Sequence, residues 1–159
     1  MTVAEHPNVA RVRASAAERG VSIEIRRFAA STRTAQDAAR EIGVSVGEIV
    51  KSLVFVAGDR ALVVLCCGDR RVSEDRLRGA LGATTVRRAT ADEAKRFTGY
   101  AIGGVPPFAY ETPCETVIDK DMTRFETVWA AAGLPDAIFE IGVADLRRLS
   151  DATSARIAE

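Results

Sequence analysis

Lysine is scarce in this chain, so each lysine is a candidate for a specific role. Of the 22 cationic side chains among 159 residues, only Lys51, Lys95 and Lys120 are lysines. Lys51 interrupts residues 49–55, an apolar run that otherwise suits a buried strand. One interpretation is that its apolar stem follows the strand and its ammonium reaches water. The other is a fixed cation at the mouth of a cleft, where it binds a phosphate or stabilises developing negative charge.

A segment rich in glycine and proline is the second candidate for chemistry. Residues 99–107 contain Gly103 and Gly104 followed by Pro106 and Pro107, a composition that excludes a regular helix or a central strand. Adjacent glycines allow a backbone to approach a ligand closely, and prolines stiffen the loop behind them. Exposed amide N–H groups there would form an oxyanion hole or hold a carbonyl group. The alternative is a purely structural turn.

The residues that the chain lacks exclude several catalytic classes. His6 is the only histidine and the cysteines number three, which argues against Ser-His or Cys-His catalysis and against zinc. Cys66 and Cys67 lie in an apolar run and are expected to be inert core residues. Asp119 and Asp121 would suit Mg²⁺, but a solvated polar turn is the favoured interpretation. We therefore expect no metal or cofactor, and an enzyme here would rely on lysine, carboxylates, hydroxyls and backbone amides.

Composition indicates one globular domain, residues 1–159, in a reducing compartment. Hydrophobic residues make up 47% and charged residues 28% of the chain, as in ordinary globular proteins. The formal net charge is zero, so we expect no bulk attraction to long nucleic acids. Zero net charge does not exclude a local basic pocket. The longest apolar run, residues 61–67, is too short to span a bilayer. We expect a cytoplasmic protein with reduced thiols and no membrane association.

Hydrophobic spacing, caps and turn residues predict a mixture of helices and strands. Gly58 and Asp59 form a tight turn, so the two strongest strands should pair as a hairpin. Thr34 is a candidate N-cap, and Thr90 with Glu93 forms a capping-box pattern. Helices and strands do not alternate strictly, which indicates an α/β domain around a mixed, largely antiparallel sheet. The predicted helices cover residues 8–19, 35–42, 73–81, 90–97 and 143–149, and the predicted strands cover 21–28, 49–57, 61–67, 84–88, 116–118, 127–131 and 137–141.

Four segments form an ordered set along the chain. They are residues 34–39 (TAQDAA), 49–55 (IVKSLVF), 98–107 (TGYAIGGVPP) and 127–133 (TVWAAAG). This set resembles the YbaK/ProX family of aminoacyl-tRNA deacylases over about residues 28–149, and the chain is similar in size to the freestanding members. The resemblance implies a barrel-like sheet with surrounding helices, the fold of the editing domain of prolyl-tRNA synthetase.

The resemblance also implies an activity, hydrolysis of the ester that joins a wrong amino acid to the tRNA 3′ end, without a cofactor. Lys51 resembles the family's lysine that contacts the terminal adenosine. Gly103 and Gly104 belong to the loop whose backbone anchors the aminoacyl carbonyl, and Pro107 ends that loop. The other residues that the resemblance places near the substrate are Phe28 and Thr34 at the amino-acid pocket, Ser52 beside the lysine, and Asp136 in a polar role.

The implied substrate is tRNA(Pro) that carries a small wrong amino acid. Its acceptor end is the implied partner, with prolyl-tRNA synthetase as a transient one. Ala109-Tyr110 stands where close relatives carry Gly-His, and Ala131 where others carry serine; both differences bear on which amino acid is removed. The arginine pairs 70/71, 87/88 and 147/148 are expected on solvated faces, unless one borders a tRNA-contacting edge. The alternatives are a binding module that senses an aminoacyl or nucleotide ligand without cleaving it, and a hydrolase of small esters.

Overall fold

The computed structural model describes residues 5–28 and 34–159. Residues 29–33 lie outside them. Within the described residues, no helix is long and apolar enough to cross a membrane. The helices are α1 (Pro7–Glu18), α2 (Ala35–Ile42), α3 (Glu74–Leu81), α4 (Ala91–Thr98) and α5 (Val143–Ser150). The strands are β1 (Ile25–Arg27), β2 (Val50–Ala57), β3 (Arg60–Cys67), β4 (Val86–Arg88), β5 (Glu115–Asp119), β6 (Thr127–Ala131), β7 (Ala137–Gly142) and β8 (Thr153–Ala155).

The described strands form two sheets. One sheet has the order β4-β2-β3-β5-β8 and the other has the order β1-β7-β6. Neighbouring strands are antiparallel except in the β3–β5 and β5–β8 pairs, which are parallel. A parallel bridge between Ile49 and Trp129 links the two sheets. The predicted α/β class with a mixed, largely antiparallel arrangement is confirmed, although the described strands do not close into a barrel.

Capping side chains explain why the predicted helices begin where they do. Thr34 accepts a hydrogen bond from a first-turn amide of α2 at 3.0 Å. Thr90 and Glu93 form the predicted capping box of α4, in which each side chain accepts from the other residue's amide. The His6 imidazole accepts from the Asn8 amide at 3.1 Å and caps α1. The only histidine of the chain therefore has a structural role.

The predicted hairpin of β2 and β3 is the centre of the core. Its register pairs Val50 with Cys67 and Ala57 with Arg60, so alternate side chains face opposite sides of the sheet. One face packs against α1, α5 and the second sheet, and the other packs against α3 and the C-terminal residues. Cys66 and Cys67 are fully buried on opposite faces, which confirms that both belong to the core.

The C-terminal segment differs from the sequence prediction. β8 pairs in parallel with β5, although no strand is predicted there. Asp119, expected in a solvated turn, is only 1% exposed. Its carboxylate accepts hydrogen bonds from the amides of Ile157 at 2.9 Å and Ala158 at 3.2 Å. The expectation is wrong because a segment distant in sequence covers the carboxylate and supplies both hydrogen bonds to its Oδ1 atom.

Replacing Asp119 tests the importance of this buried acceptor. In Asp119→Ala two buried amides lose their partner, so we expect the free energy of unfolding from urea titration to fall by about 3 kcal/mol. Asp145→Ala, which removes a surface ion pair with Arg148, is the matched control and should cost less than about 1 kcal/mol. Equal losses in the two variants would contradict the structural role of Asp119.

Glu93 gives the fold a defined sensitivity to acid. Hydrogen bonds from Arg87 and from the Thr90 amide lower the pKa of Glu93 from 4.5 to about 2. Because the pKa is lower in the folded state, the stabilisation is complete above the unfolded pKa and is lost as the pH falls towards the folded one. Glu93→Gln should therefore lower the Tm at about pH 6 and have a smaller effect at about pH 3.

Glu41→Gln on α2 is the control for Glu93, since Glu41 is exposed and caps no helix. We expect its Tm to follow that of the wild type across the same pH range. The capping role of Glu93 is refuted if the Tm difference between Glu93→Gln and the wild type is the same at both pH values.

Candidate functional site

A cavity of about 230 Å³ lies where residues of the two sheets, α2, α4 and the loop after α4 come together. Its lining is mostly alanine and branched apolar side chains, which suits a small apolar group. Of the eight site residues predicted from the sequence, five line this cavity: Phe28, Thr34, Lys51, Ser52 and Gly103.

The cavity borders the part of β2 that β4 does not cover. β4 pairs only with residues 55–57 of β2, and the last main-chain contact is from the Ala89 amide to the Val54 carbonyl at 2.9 Å. Main-chain groups alternate in direction along an antiparallel strand, so those of Ser52 point to the same side as those of Val54, away from β3. The main chain of Ser52 is therefore directed at the side of β2 where the cavity lies.

The side chain of Ser52 has an unusual environment. Its hydroxyl oxygen is buried, and within residues 5–28 and 34–159 it has no hydrogen-bond partner. A buried hydroxyl without a hydrogen-bond partner lowers the stability of the folded state. Such groups are rare in folded proteins, and those that occur often lie at functional sites. Since Ser52 also lines the cavity, its hydroxyl is a candidate contact for a ligand.

Lys51 lies at the rim of the cavity, with its ammonium held by the turn after β3. Its Nζ donates a hydrogen bond to the Arg70 carbonyl at 2.5 Å. Ion pairs fix that turn: Asp121 lies 2.9 Å from Arg70 and 3.7 Å from Arg124, and Arg124 also contacts Asp69. The Arg124 guanidinium lowers the pKa of Asp69, so the Asp69 carboxylate stays charged near neutral pH. The arrangement favours the fixed-cation interpretation of Lys51 over a lysine that extends freely into water.

The thiol opposite Lys51 is not a nucleophile. Cys66 is the cross-strand partner of Lys51 and is fully buried. Burial raises the pKa of the Cys66 thiol to about 12, although the Lys51 ammonium opposes the shift. The thiol is therefore neutral at physiological pH, and only the thiolate reacts readily.

The glycine loop is fixed to α4 by polar contacts at its base. The Thr98 hydroxyl donates to the Ala94 carbonyl at 2.7 Å and accepts from the Tyr100 amide at 3.1 Å. The Tyr100 hydroxyl spans the loop and donates to the Ala109 carbonyl at 2.6 Å. The loop is thus anchored at both ends, and its middle is held against the cavity.

Gly103 and Gly104 have different roles in this loop. Gly103 is exposed, lines the cavity and has a φ of +91°, a conformation that favours glycine. Gly104 is buried, its amide donates to the Ala101 carbonyl at 3.0 Å, and a Cβ at this position would lie 3.0 Å from the Leu134 backbone. The prediction of exposed amides at both glycines needs a correction, because the Gly104 amide is already bonded within the loop.

Pro107 and Asp136 also lie outside the lining of the cavity. Pro107 is buried behind the loop. The Asp136 carboxylate lies 3.0 Å from the Arg27 guanidinium, and its carbonyl accepts from the Phe28 amide at 2.7 Å. Asp136 thus holds the main chain of Phe28, a residue of the cavity lining, and a direct role with substrate stays a prediction for both Pro107 and Asp136.

Among the lining residues that were not predicted as site residues, Arg88 and Ile102 are the most informative. Arg88 is the last residue of β4 and the register partner of Phe55, and its guanidinium lies 5.5 Å from the centre of the Phe55 ring. Ile102 is 52% exposed and is the only large apolar side chain so exposed among the described residues. In the sequence, Arg88 is one of two adjacent arginines that nothing distinguishes, and Ile102 belongs to the glycine-rich segment without a signal of its own. Together with Lys51, Arg88 gives the described lining two cations and no carboxylate, which favours a ligand with negative charge near the rim.

Comparison with known proteins assigns the fold to a family. The model of the aminoacyl-tRNA editing domain matches residues 29–149. A crystal structure of a protein described as a candidate trans-editing enzyme for prolyl-tRNA synthetase superposes with a TM-score of 0.92. It is 38% identical and covers 98% of this chain and 99% of its own. The fold is that of an aminoacyl-tRNA editing domain.

Sequence relatives lead to the same assignment. YwhH of Bacillus subtilis (strain 168), an uncharacterised protein, is 32% identical over 80% of this chain and 81% of its own length. The proline–tRNA ligase of Lactobacillus helveticus (strain DPC 4571) is 31% identical over 67% of this chain, which corresponds to only 19% of the ligase. The chain belongs to the aminoacyl-tRNA editing domain family, and the resemblance noted from its sequence is confirmed.

Ser52→Ala tests whether the unpaired hydroxyl costs stability. Removing a buried hydroxyl that has no partner should raise the free energy of unfolding by about 1 kcal/mol in urea titration. Ser150→Ala is the matched control, because the Ser150 hydroxyl donates to the Arg147 carbonyl at 3.3 Å and its loss should lower the free energy of unfolding. A clear loss of stability in Ser52→Ala would show that the hydroxyl is satisfied in the folded protein.

Proposed function

We propose that this protein hydrolyses the ester bond of mischarged tRNA, acting in trans on tRNA(Pro) that carries a small wrong amino acid. The observation that carries the proposal is the small apolar cavity with Lys51 held at its rim. The described lining contains no carboxylate, histidine or cysteine, so the site is unsuited to a protein nucleophile or general base. An aminoacyl ester is already labile, and positioning alone accelerates its cleavage.

In this mechanism the amino-acid side chain enters the apolar interior and the ester carbonyl lies between Lys51 and Gly103. Water, positioned by the protein or by a substrate group, attacks the carbonyl carbon and loses a proton, and negative charge develops on the carbonyl oxygen. The Lys51 ammonium and main-chain N–H groups of the Gly103 loop stabilise this charge. The bond between the carbonyl carbon and the ribose oxygen then breaks, and the proton that the water has lost passes to the ribose oxygen. The products are the free amino acid and the tRNA with its ribose hydroxyl restored.

Selection of the amino acid would come from the size of the cavity. Alanine side chains at 35, 38, 89, 94, 131 and 137 contribute to its apolar lining, and its volume of about 230 Å³ limits the side chains that it can enclose. One methylene in a hydrophobic pocket is worth about 1–3 kcal/mol, which is too little for a synthetase to reject a smaller amino acid in one step. A second site that admits only small side chains supplies the missing discrimination.

The choice of tRNA(Pro) rests on relatives. A segment similar to this chain occurs in the Lactobacillus helveticus proline–tRNA ligase, which motivates prolyl-tRNA synthetase as a transient partner of the separate protein. The tRNA acceptor end is the direct ligand, the cytoplasm is the proposed location, and no cofactor takes part.

A panel of mischarged tRNAs tests the proposal. We expect a catalytic amount of the protein to release alanine, and more slowly serine or cysteine, from tRNA(Pro), and to leave prolyl-tRNA(Pro) intact. Alanine on tRNA(Ala) is the control for tRNA identity. Protection of the ester under substrate excess would indicate the binding module instead, and cleavage of small esters undiminished by free tRNA would indicate an unrelated hydrolase.

Lys51→Ala tests the cation in this mechanism. Removing a group that stabilises the oxyanion should lower kcat/KM for alanyl-tRNA(Pro) by about a hundredfold or more, with an unchanged circular dichroism spectrum. Lys120→Ala, at an exposed lysine outside the cavity lining, is the matched control and should retain the wild-type rate. Full activity of Lys51→Ala would remove Lys51 from the mechanism.

A further inference from the structure

Two of the three pairs of adjacent arginines, 70/71 and 87/88, lie close to the cavity. In each of them, among the residues that the structure describes, one arginine forms an ion pair and the other does not. Arg70 and Arg87 each contact a carboxylate, at 2.9 Å and 2.7 Å respectively. Arg71 and Arg88 are exposed and form no ion pair with any residue in the described part of the chain. The members that stay unpaired are therefore the ones available to an external anion.

Arg71 and Arg88 line the same groove beside the cavity. This groove has a volume of about 290 Å³. Lys51, Leu53 and Arg88 line both the groove and the cavity, so the groove begins at the cavity rim. The remaining lining residues are Phe55, Val72 and Glu74.

The groove combines excess positive charge with an apolar floor. Lys51, Arg71 and Arg88 face a single carboxylate, that of Glu74, among the described lining residues. Guanidinium groups bind phosphate oxygens through paired, charge-assisted hydrogen bonds. The Arg88 guanidinium lies 5.5 Å from the centre of the Phe55 ring, and this cation–π contact helps to hold it at the groove. A nucleic-acid strand, in which sugars and bases separate the phosphates, fits this combination better than a free anion does.

We propose that this groove binds the phosphodiester of the nucleotide that precedes the aminoacylated adenosine at the RNA 3′ end. The inference rests on the proposed function, which places the ester and its ribose at the cavity rim. The next phosphodiester then leaves the rim along the groove, past Lys51 and between Arg71 and Arg88. Contacts of this kind position the RNA without reading its sequence.

Binding of a fluorescein-labelled CCA trinucleotide, followed by anisotropy at several salt concentrations, tests the groove directly. Arg71→Ala and Arg88→Ala should each weaken binding by about tenfold. Each should also reduce the slope of log K against log salt by about 0.7. Glu74→Gln should tighten binding because it removes the opposing carboxylate. Arg147→Ala, at an exposed arginine of α5 outside both linings, is the matched control and should bind like the wild type.

Hydrolysis separates failure of this inference from failure of the proposed function. Alanyl-adenosine lacks the phosphodiester, so Arg71→Ala, at a residue of the groove that does not line the cavity, should cleave it at the wild-type rate. Both Arg71→Ala and Arg88→Ala should cleave alanyl-tRNA(Pro) about tenfold more slowly. Unchanged trinucleotide binding and unchanged tRNA cleavage in both variants would overturn the groove while leaving the function intact. A wild-type protein that cleaves no aminoacyl ester overturns the function, and one that shows no salt-dependent trinucleotide binding overturns the groove.

Discussion

The short pairing between β4 and β2 is the constraint on which the site depends. If β4 continued along β2 past Val54, its residues would occupy the space in front of Ser52, and that edge of β2 would be closed. Instead the chain turns at Ala89 and enters α4, whose capping box at Thr90 and Glu93 ends the strand. The end of α4 then starts the glycine loop, which returns over the same gap. The capping box of α4 thus leaves this edge of β2 open, and α4 in turn positions the glycine loop that lines the cavity.

Most helices and strands were predictable because their signals are local. The Thr34 cap and the Gly58-Asp59 turn act within a few residues, and both are found where the sequence predicts them. The predicted strand 21–28 is shorter in the structure, since β7 pairs only with residues 25–27 of it. β8 and the burial of Asp119 depend on contacts between segments far apart in the chain. No spacing rule within a short window contains that information.

The candidate site was predictable in part. The residues carried by motifs were predictable, whereas distinctions that depend on three-dimensional geometry were not. Motif resemblance pointed to Lys51 and to the glycine loop, but it could not distinguish Gly103 from Gly104. That distinction depends on which amide bonds inside the loop and on how close the Leu134 backbone comes. Likewise, composition could not separate Arg88 from its neighbour Arg87. Only the position of the Glu93 carboxylate shows which of the two arginines is already neutralised.

The alternation of a single strand accounts for two binding surfaces side by side. Lys51, Leu53 and Phe55 are alternate residues of β2 and all line the groove, because residues two apart share one face of a sheet. Ser52 lies between them and belongs to the opposite face, where Val54 enters the core below the cavity. β2 can therefore present the polar groups of Ser52 to one part of a ligand and the ammonium of Lys51 to the adjacent part. In this fold an apolar pocket and a basic groove meet at Lys51. A ligand with an apolar group at one end and a negative charge next to it matches this pair of surfaces.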